Sequence, residues 1–276
     1  MTLPESGNNR NINNKRIADM IPMYSRSYLN LMREIAVTRF KLKDQSTFFG
    51  LLWSFLNPVL MLTILFTIFS FRAGQGIDHY AIYLLIGVVQ YTHFSNTTAG
   101  GMSILCSMEK LTSDVIFPKE VLVIGTVIAD TVEFVISLIF CLGIAIAFGI
   151  QLSWPVLLLP VVILMQLMFV LWVSMFLSIF YIYVRDLRHI YQVFLRMLFF
   201  ATPIFYRPEY VGDGIGKYII QMNPLTHLIQ FARTLLIEGR WPSWEMLLLT
   251  FAANTALLFL GIAIFRRYEP TFAEYL

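Results

Sequence analysis

The chain has 276 residues, of which 58% are hydrophobic and 13% are charged, with a formal net charge of +3 and a mean hydropathy of +0.70. Soluble domains contain only about 45–50% apolar residues, so an ordinary soluble domain is excluded. Because apolar runs of about 20 residues cross a bilayer as helices, an all-α polytopic membrane protein is expected. Cys106 and Cys141 fall at or inside such runs, with neither disulfide-like nor metal-like spacing, which favours a role in helix packing.

The N-terminal part of the chain is mostly polar and divides into two segments. Residues 1–22 are rich in Asn and predict a disordered arm. No small-residue cleavage site follows the first apolar run, so a secretory signal peptide is not expected. The segment 23–49 predicts an amphipathic helix, either in the cytoplasmic interface with its basic side chains toward lipid phosphates or packed beneath the helix bundle. Its apolar set is Tyr28, Leu31, Met32, Ile35 and Ala36, with Arg33, Glu34, Thr38 and Arg39 between them.

Six apolar segments follow, and each predicts a transmembrane helix within one membrane domain over residues 50–276. The third and fourth are long enough to tilt or to extend beyond the bilayer. The turn between them has no charge and includes Trp154, a residue type that is enriched at membrane interfaces. The six predicted spans are Gly50–Phe71, Tyr80–Leu105, Val121–Ile150, Pro155–Val184, Ile190–Tyr206 and Met246–Phe265.

Lysine and arginine are distributed unevenly among the segments that flank these spans. Fourteen of the 20 lie in the N-terminal segment, the loop 107–120, the turn 185–189 and the C-terminal tail, whereas five lie in the segments on the opposite side. Cytoplasmic segments carry the excess of basic residues in membrane proteins. The count therefore predicts that both termini and the loop 107–120 are cytoplasmic.

The loop 107–120 combines a high density of charge with an apolar stripe. Leu111, Val115 and Ile116 have the spacing of one face of a short helix, and Phe117-Pro118 ends the run. Such a stripe outside the bilayer indicates a docking surface for a partner; an ordinary solvated loop between spans is the alternative. The charged residues of the loop are Glu109, Lys110, Asp114, Lys119 and Glu120.

The region 207–240, between the fifth and sixth spans, begins with Pro208 and a glycine-rich stretch over residues 212–216. An apolar segment over 217–237 follows, and Asn223-Pro224 splits it into halves that are too short to cross a bilayer. Non-helical backbone at membrane depth must be buried in protein or line a cavity. The pattern predicts a re-entrant pair of short helices on the outer side; a helical hairpin lying flat on the outer leaflet is the alternative.

Motifs for catalysis and nucleotide binding are absent from the sequence. It contains no G-x-x-x-x-G-K-[ST] phosphate-binding loop, no H-E-x-x-H and no G-x-S-x-G, and its four histidines are scattered. We therefore expect no catalytic residue, no cofactor and no metal in this chain, and no ATP hydrolysis by the chain alone.

Two further groups of residues lie where function is expected. Asp130 and Glu133 share one face of the third span and Arg196 lies in the fifth, and ionisable groups inside a membrane are costly and commonly functional. We expect Arg196 to pair with one of the acids and to hold two helices in register; a proton relay is the alternative. Aromatic residues close the first and fifth spans and would suit sugar rings at a channel mouth, although an interfacial belt explains them as well. They are Phe66, Phe69 and Phe71, and Phe199, Phe200, Phe205 and Tyr206.

Several short motifs occur in a specific order along the chain from about residue 28. They are Phe49–Pro58 (F-G-L-L-W-S-F-L-N-P), Leu111–Leu122 (ending in F-P-K-E-V-L), Arg185-Asp186-Leu187, Thr202–Tyr206 (T-P-I-F-Y), Asn223-Pro224-Leu225, and Phe265–Pro270 (F-R-R-Y-E-P) with Phe272-Ala273-Glu274. In this order they resemble the membrane subunit of type-2 ABC exporters, specifically the permeases for polysaccharides and polyol phosphates. The resemblance implies a homodimer with six spans per chain and two copies of a separate ATPase subunit that binds ATP and Mg.

The same resemblance implies roles for particular segments. The loop 107–120 would be a coupling helix that docks into a groove of the ATPase, and the interface helix and the re-entrant helices would gate a channel for a lipid-linked glycan. The residues implied in ATPase coupling are Glu109, Lys110, Leu111, Val115, Ile116, Phe117, Pro118, Lys119 and Glu120.

The expected function is export of a glycan on a polyprenyl-diphosphate carrier across the cytoplasmic (inner) membrane of a bacterium, with O antigen expected first and capsule or teichoic acid as other polymers. Arg33 and Arg39 would meet the carrier diphosphate at the cytoplasmic entry, or only anchor the helix to membrane lipids. Phe199, Phe200 and Tyr206 would contact sugars. Nucleic acid is not an expected partner. Small-molecule efflux by the same fold, a membrane-embedded glycosyltransferase and a proton-coupled carrier are the alternatives.

Overall fold

The computed structural model describes residues 30–39, 52–71, 74, 76–109, 117–212 and 214–275. The regular elements in these ranges are all helical, and the ranges contain no β-strand, which confirms the all-α prediction for this part of the chain. The arm predicted over residues 1–22 lies outside the described residues, as do residues 110–116 of the loop.

Ten α-helices occur in the described ranges, and we number them in chain order. They are α1 (30–39), α2 (Leu52–Phe69), α3 (Tyr80–Ser107), α4 (Glu120–Ala147), α5 (Leu159–Tyr183), α6 (Leu187–Ala201), α7 (Ile215–Met222), α8 (Pro224–Arg233), α9 (Trp244–Tyr268) and α10 (Phe272–Tyr275). A 3₁₀ turn, Trp154–Leu158, leads into α5, and a π turn, Thr234–Glu238, extends α8.

Three helical segments are both long enough and apolar enough to cross a membrane: Glu120–Ala147, Trp154–Tyr183 and Trp244–Thr271. They coincide with the third, fourth and sixth predicted spans. In α2 the apolar part is shorter, Leu56–Phe69. Helix α3 has 28 residues, but polar side chains such as Gln90, His93 and Asn96 interrupt its apolar surface.

Helix α3 is the centre of the bundle. It packs against α2, α4, α5, α6 and α8, and α9 packs on the far side of α5. Leu84, Leu85, Ile86 and Leu105 of α3 are fully buried. A central helix needs no lipid-facing surface, and for this reason α3 carries more polar residues than its neighbours.

The fifth predicted span is wrong at its C-terminal end. Helix α6 ends at Ala201, and the predicted continuation to Tyr206 is irregular. The cause is Pro203, because the residue before a proline is pushed out of the helical region; Thr202 is extended, with φ −96° and ψ 133°. At about 1.5 Å per residue, the 15 residues of α6 are shorter than the roughly 30 Å core of a bilayer.

The region after α6 contains the two short helices that the sequence predicts, α7 and α8, and they are separated at Asn223. The Asn223 side chain joins three elements: its Oδ1 accepts a hydrogen bond from Leu225 N (3.0 Å) and caps α8, and its Nδ2 donates to Thr202 Oγ1 (2.9 Å). Asn223-Pro224 is therefore both the break between the helices and their attachment to the end of α6.

Arg233, at the end of α8, is buried to 2% exposure and binds main-chain carbonyl groups. Its Nη1 donates to Pro203 O (2.8 Å) and its Nη2 to Ile204 O (2.7 Å), while Nε and Nη2 both donate to Tyr83 O (3.2 and 3.1 Å). The guanidinium also lies 3.4 Å from the centroid of the Tyr83 ring. Arg233 belongs to the region 207–240, which the sequence predicts on the outer side. In the structure it links α3, α8 and the segment after α6 inside the protein.

A glycine of α3 makes room for this arginine. A Cβ at Gly87 would lie 2.8 Å from Arg233 Nη2 and 3.2 Å from Ile204 Cγ2. Any side chain at this position would push Arg233 and Ile204 away from α3.

We expect Arg233→Met to destabilise the protein strongly. The change leaves the carbonyl groups of Tyr83, Pro203 and Ile204 without their donor, at about 1–3 kcal/mol for each buried group. In detergent, the midpoint of heat-induced loss of the monodisperse peak in size-exclusion chromatography should fall by about 10 °C. Gly87→Ala should lower the midpoint in the same direction, and Arg240→Met, at an exposed position, is the matched control. Equal midpoints for Arg233→Met and Arg240→Met would contradict this role.

Candidate functional site

A polar cavity of about 200 Å³ lies between α2, α3 and α4. Helical spacing explains how its polar groups meet: Asp130, Glu133 and Ser137 recur at i, i+3 and i+7 along α4 and so share one face. The wall from α2 is Trp53, Asn57 and Pro58, that from α3 is Val89, Thr92, His93, Asn96 and Thr97, and that from α4 is Asp130, Glu133, Phe134 and Ser137.

The back of this cavity is buried and its mouth is open. Thr97 is 0% exposed, and Asp130 and Glu133 are each 8% exposed. Thr97 Oγ1 has no hydrogen-bond partner among the residues that the structure describes. Trp53 and Asn57 of α2 are exposed, so the cavity opens beside them.

His93 is held in the cavity wall by an aromatic neighbour. Its ring stacks on Phe134, with centroids 4.3 Å apart and an interplanar angle of 13°. Its Nε2 lies 3.4 Å from Thr131 Oγ1, which also donates a hydrogen bond to Val127 O. The imidazole therefore joins α3 to α4, and the described residues contain no cluster of side chains suited to a metal ion.

The buried acids lie close to a basic residue of α1. Arg39 Nη2 and Asp130 Oδ2 lie 3.1 Å and 3.7 Å from the position that a Cβ would occupy at Gly100. Arg196 is exposed on α6 and does not line the cavity. An ion pair between Arg196 and either acid is not seen in the described part of the chain. The structure thus places Asp130 and Glu133 in one cavity wall, puts Arg39 and Asp130 next to the same glycine of α3, and leaves Arg196 outside.

Helix α1 packs on α4 and forms one side of an apolar groove. A Cβ at Gly125 would lie 2.8 Å from Ile35 Cγ2, so this glycine permits the close contact. Arg33 is exposed and lies in the wall of the groove, to which it contributes apolar surface. The groove has a volume of about 500 Å³ and is lined by Met32, Arg33, Ala36, Val37, Ile128, Ala129 and Val132.

The aromatic residues of the first and fifth predicted spans meet in one cluster. Phe69 stacks on Phe205, with centroids 4.5 Å apart, and Phe199 contacts Phe200 edge to face at 5.4 Å. Tyr206 donates a hydrogen bond to Phe200 O (3.1 Å). Phe200 is 63% exposed, whereas Phe199 and Tyr206 are half-buried. Of the three predicted sugar contacts, Phe200 therefore presents the most open ring.

The second end of the loop 107–120, where it enters α4, is attached to the C-terminal tail. Glu120 is 4% exposed, and its carboxylate accepts two hydrogen bonds from Arg266, from Nε to Oε2 and from Nη2 to Oε1, both at 2.9 Å. Lys119 N donates to Glu269 Oε1 (2.5 Å). Glu120 is thus engaged inside the chain, whereas Glu109 is exposed and Phe117, Pro118 and Lys119 are half-buried. Lys110, Leu111, Val115 and Ile116 lie outside the described residues.

Some residues that line the cavity can be recognised from their spacing in the sequence, although they are absent from the predicted site residues. Asn96 and Thr97 lie at i+3 and i+4 from His93 within an apolar segment, which places three polar side chains on one helical face. The partners of Lys119 and Glu120, in contrast, lie about 150 residues away in the chain, and no local pattern indicates them.

Three helices that are long enough and apolar enough to cross a membrane, packed in one bundle, define the class as a multi-pass membrane protein. The family model described as ABC-2 type transporter matches residues 31–237 of the chain. The O-antigen export system permease protein RfbA of Myxococcus xanthus is 31% identical over 248 residues, which cover 90% of this chain and 95% of that protein. Two proteins of the same name from Klebsiella pneumoniae are each 25% identical, over 92% of this chain and 98% of their own length. The chain belongs to the ABC-2 type transporter family, and it is a transport permease rather than an enzyme.

We expect the Glu120–Arg266 pair to stabilise the membrane domain. Glu120→Arg places two cations together at a buried position, and the cost should be about 1–3 kcal/mol, because Arg266 is largely exposed and can turn toward water. The double variant Glu120→Arg/Arg266→Glu re-forms the pair and should recover part of the loss. Heat-induced loss of the monodisperse size-exclusion peak measures both effects.

A matched control for this experiment is Arg267→Glu, which changes the charge of the exposed neighbour of Arg266. If the double variant were less stable than either single variant, the interaction would not be the one that holds the loop to the tail.

Proposed function

We propose that this chain is the membrane subunit of an ATP-driven exporter that moves lipid-linked O antigen across the cytoplasmic membrane of a bacterium. The observation that carries the proposal is the alignment with O-antigen export permeases along 90% of the chain and nearly their full length. A likeness over such a length includes the loops and the short helices α7 and α8, beyond the apolar segments that any membrane protein shares.

We also propose the architecture in which the chain acts. Six spans per chain would pair with those of a second copy, with residues 1–22 as an N-terminal arm. The spans would be formed by α2, α3, α4, α5 and α9, and by α6 together with the irregular segment 202–206 that follows it. Helices α7 and α8, within the region 207–240, would be the re-entrant pair on the outer side. Their attachment through Asn223 and Arg233 supports this, because irregular backbone at membrane depth must find its hydrogen bonds inside the protein.

The loop 107–120 would pass the conformational change of a separate ATPase subunit to the membrane domain. This subunit would bind ATP and Mg and would occur in two copies per exporter. The absence of a phosphate-binding loop from the sequence makes such a partner necessary for ATP-driven transport. The cytoplasmic placement of the loop and of both termini follows from the distribution of lysine and arginine. Lys110, Leu111, Val115 and Ile116 are the residues we propose for the docking face, with Glu109 beside them.

The lipid carrier would enter beside α1, the described part of the segment 23–49. Its apolar chain suits the groove between α1 and α4, and Arg33 in the wall of the groove suits a phosphate group. On the opposite side, the aromatic cluster that includes Phe199, Phe200 and Tyr206 would contact sugar rings as they leave.

Deletion of the gene for this chain should abolish O antigen on the cell surface while glycan continues to accumulate on its lipid carrier inside the cell. The measurement is surface labelling with an O-antigen-specific antibody, together with extraction of lipid-linked glycan from the membrane. Expression of the intact chain should restore the surface signal, and a chain with Arg233→Met should not. Normal surface O antigen in the deletion strain would refute the proposal. If the strain lost capsule or teichoic acid instead, that polymer would be the exported substrate.

Replacement of Phe200 by Ala should slow export several-fold without reducing the amount of assembled exporter. Its ring is exposed, so its removal costs the fold little but removes a surface on which sugars can stack. The measurement is the rate at which new O antigen appears at the surface, with blue-native gels to quantify the assembled complex. Phe259→Ala is the matched control, because Phe259 of α9 is 68% exposed and lies outside the aromatic cluster. Equal export rates in the two variants would exclude the contact role.

A further inference from the structure

The polar cavity between α2, α3 and α4 contains a buried group that still needs a partner. Thr97 is 0% exposed and lines the cavity, and its Oγ1 has no hydrogen-bond partner in the described ranges. Nearly all buried hydroxyl groups in proteins are hydrogen-bonded, because leaving one unpaired is unfavourable. The hydroxyl of Thr97 is therefore placed to bind whatever occupies the cavity.

The size of the cavity limits the occupant. Its volume of about 200 Å³ lies below the roughly 300–1,000 Å³ of pockets for drug-sized ligands, so a single ring is the largest group that suits it. The same space would hold roughly six water molecules at about 30 Å³ each. A single small ring and a water cluster are the two occupants to be compared.

The charges around the cavity disfavour ions of either sign. A cation would be attracted by Asp130 and Glu133 in the wall, but the Arg39 guanidinium, which like the Asp130 carboxylate lies next to Gly100, offsets part of that attraction from outside the cavity. An anion such as a phosphate would meet the two carboxyl groups. A neutral ligand is therefore favoured, provided that it can satisfy donors and acceptors together.

The remaining wall suits a ring with several hydroxyl groups. The amides of Asn57 and Asn96 both donate and accept hydrogen bonds, and the hydroxyls of Thr97 and Ser137 do the same. The indole of Trp53, at the open side, offers a flat apolar surface to the C–H face of a sugar. Alternating hydroxyl and C–H surfaces are the defining chemistry of a pyranose ring.

We propose that this cavity is a binding site for one neutral sugar unit of the exported glycan, reached from the side of α2 past Trp53 and Asn57. The inference rests on the proposed export function and adds a recognition site to it. Its position differs from the aromatic cluster at the ends of α2 and α6, so the chain would contact the glycan at two separate places.

The test is a binding experiment with the complete exporter, the chain together with its ATPase subunit, in lipid nanodiscs. Two radiolabelled probes are compared: polyprenyl diphosphate carrying one N-acetylglucosamine, and polyprenyl diphosphate without a sugar. Thr97→Val keeps the shape of the side chain and removes the hydroxyl, and it should weaken binding of the sugar-bearing probe about fivefold. Asp130→Asn, which removes a charged acceptor, should weaken it more, by about tenfold or above. Binding of the sugar-free probe should not change.

Control variants separate a sugar contact from an effect on packing. Thr97→Ser keeps the hydroxyl and should recover most of the affinity for the sugar-bearing probe that Thr97→Val loses. Thr250→Val removes a buried hydroxyl of α9 that is satisfied by Met246 O (2.7 Å) and does not line the cavity, so it should leave both affinities unchanged. If Thr97→Val lowers the thermal stability of the complex, Ser137→Ala provides a second removal of a cavity hydroxyl with the same expected result.

Three outcomes would overturn the proposal. Unchanged affinities in Thr97→Val, Ser137→Ala and Asp130→Asn would show that the cavity holds only water. Equal weakening of both probes would assign the cavity to the carrier or to packing rather than to the sugar. If these variants lost export but bound both probes with unchanged affinity, the cavity would be a hydrated region that the helices need in order to move during transport. Failure of the proposed function is distinguishable, because the unchanged exporter would then bind neither probe.

Discussion

The irregular segment after α6 depends on one buried arginine. A main chain that leaves the helical conformation inside an apolar environment exposes carbonyl groups that neither lipid nor apolar side chains can satisfy. Arg233 supplies the donors from another helix, with bonds to Pro203 O, Ile204 O and Tyr83 O. The rest of this end of the bundle follows from the contact, because α3, α8 and the segment 202–206 cannot be moved independently while Arg233 holds all three.

The aromatic cluster is a consequence of the same constraint. Tyr80 and Tyr83 donate hydrogen bonds from their hydroxyls to Phe205 O (2.8 Å) and Tyr206 O (2.9 Å), so the carbonyl groups that Arg233 does not reach are satisfied by tyrosines of α3. The same tyrosines line the aromatic cluster, since Tyr80 lies 6.1 Å from Phe66, centroid to centroid. The tyrosines at this end of the bundle therefore satisfy main-chain carbonyl groups as well as contributing apolar surface. Only an exposed ring such as that of Phe200 is available to contact a ligand.

Much of the fold follows from local pattern, and the parts that do not have identifiable reasons. The long apolar runs predict the ends of α4, α5 and α9 to within a few residues. The reason is that a helix that crosses a bilayer satisfies its own backbone hydrogen bonds and needs no distant partner. The predicted fifth span extends five residues beyond the end of α6, because the aromatic residues after Pro203 continue the apolar run. The split at Asn223-Pro224 was predicted correctly, since a proline and a capping residue act locally.

The sites were less predictable, since they depend on contacts between distant parts of the chain. Asp130 and Glu133 were recognised as unusual, but the element that brings a cation toward Asp130 is α1 rather than α6, and no periodicity encodes which helix packs on which face. The contact of Glu120 is equally hard to predict from sequence. A charged residue in a highly charged loop resembles a surface residue, and only the folded structure places Arg266 next to it. Burial of a charge is a property of the bundle, and it becomes visible only when the bundle is assembled.

The contacts of Lys119 and Glu120 bear on how a docking loop would act on the membrane domain. A loop attached only to the ends of α3 and α4 would move those two helices and leave α9 behind. Here the start of α4 is linked to the end of α9 through Arg266, and the tail beyond α9 is itself anchored, because Phe272 is fully buried against Phe265 with centroids 5.3 Å apart. Tyr183 at the end of α5 shares a hydrogen bond with Thr271 of the same tail (2.7 Å). Through these contacts, a displacement of residues 119 and 120 would reach α4, α5 and α9 together.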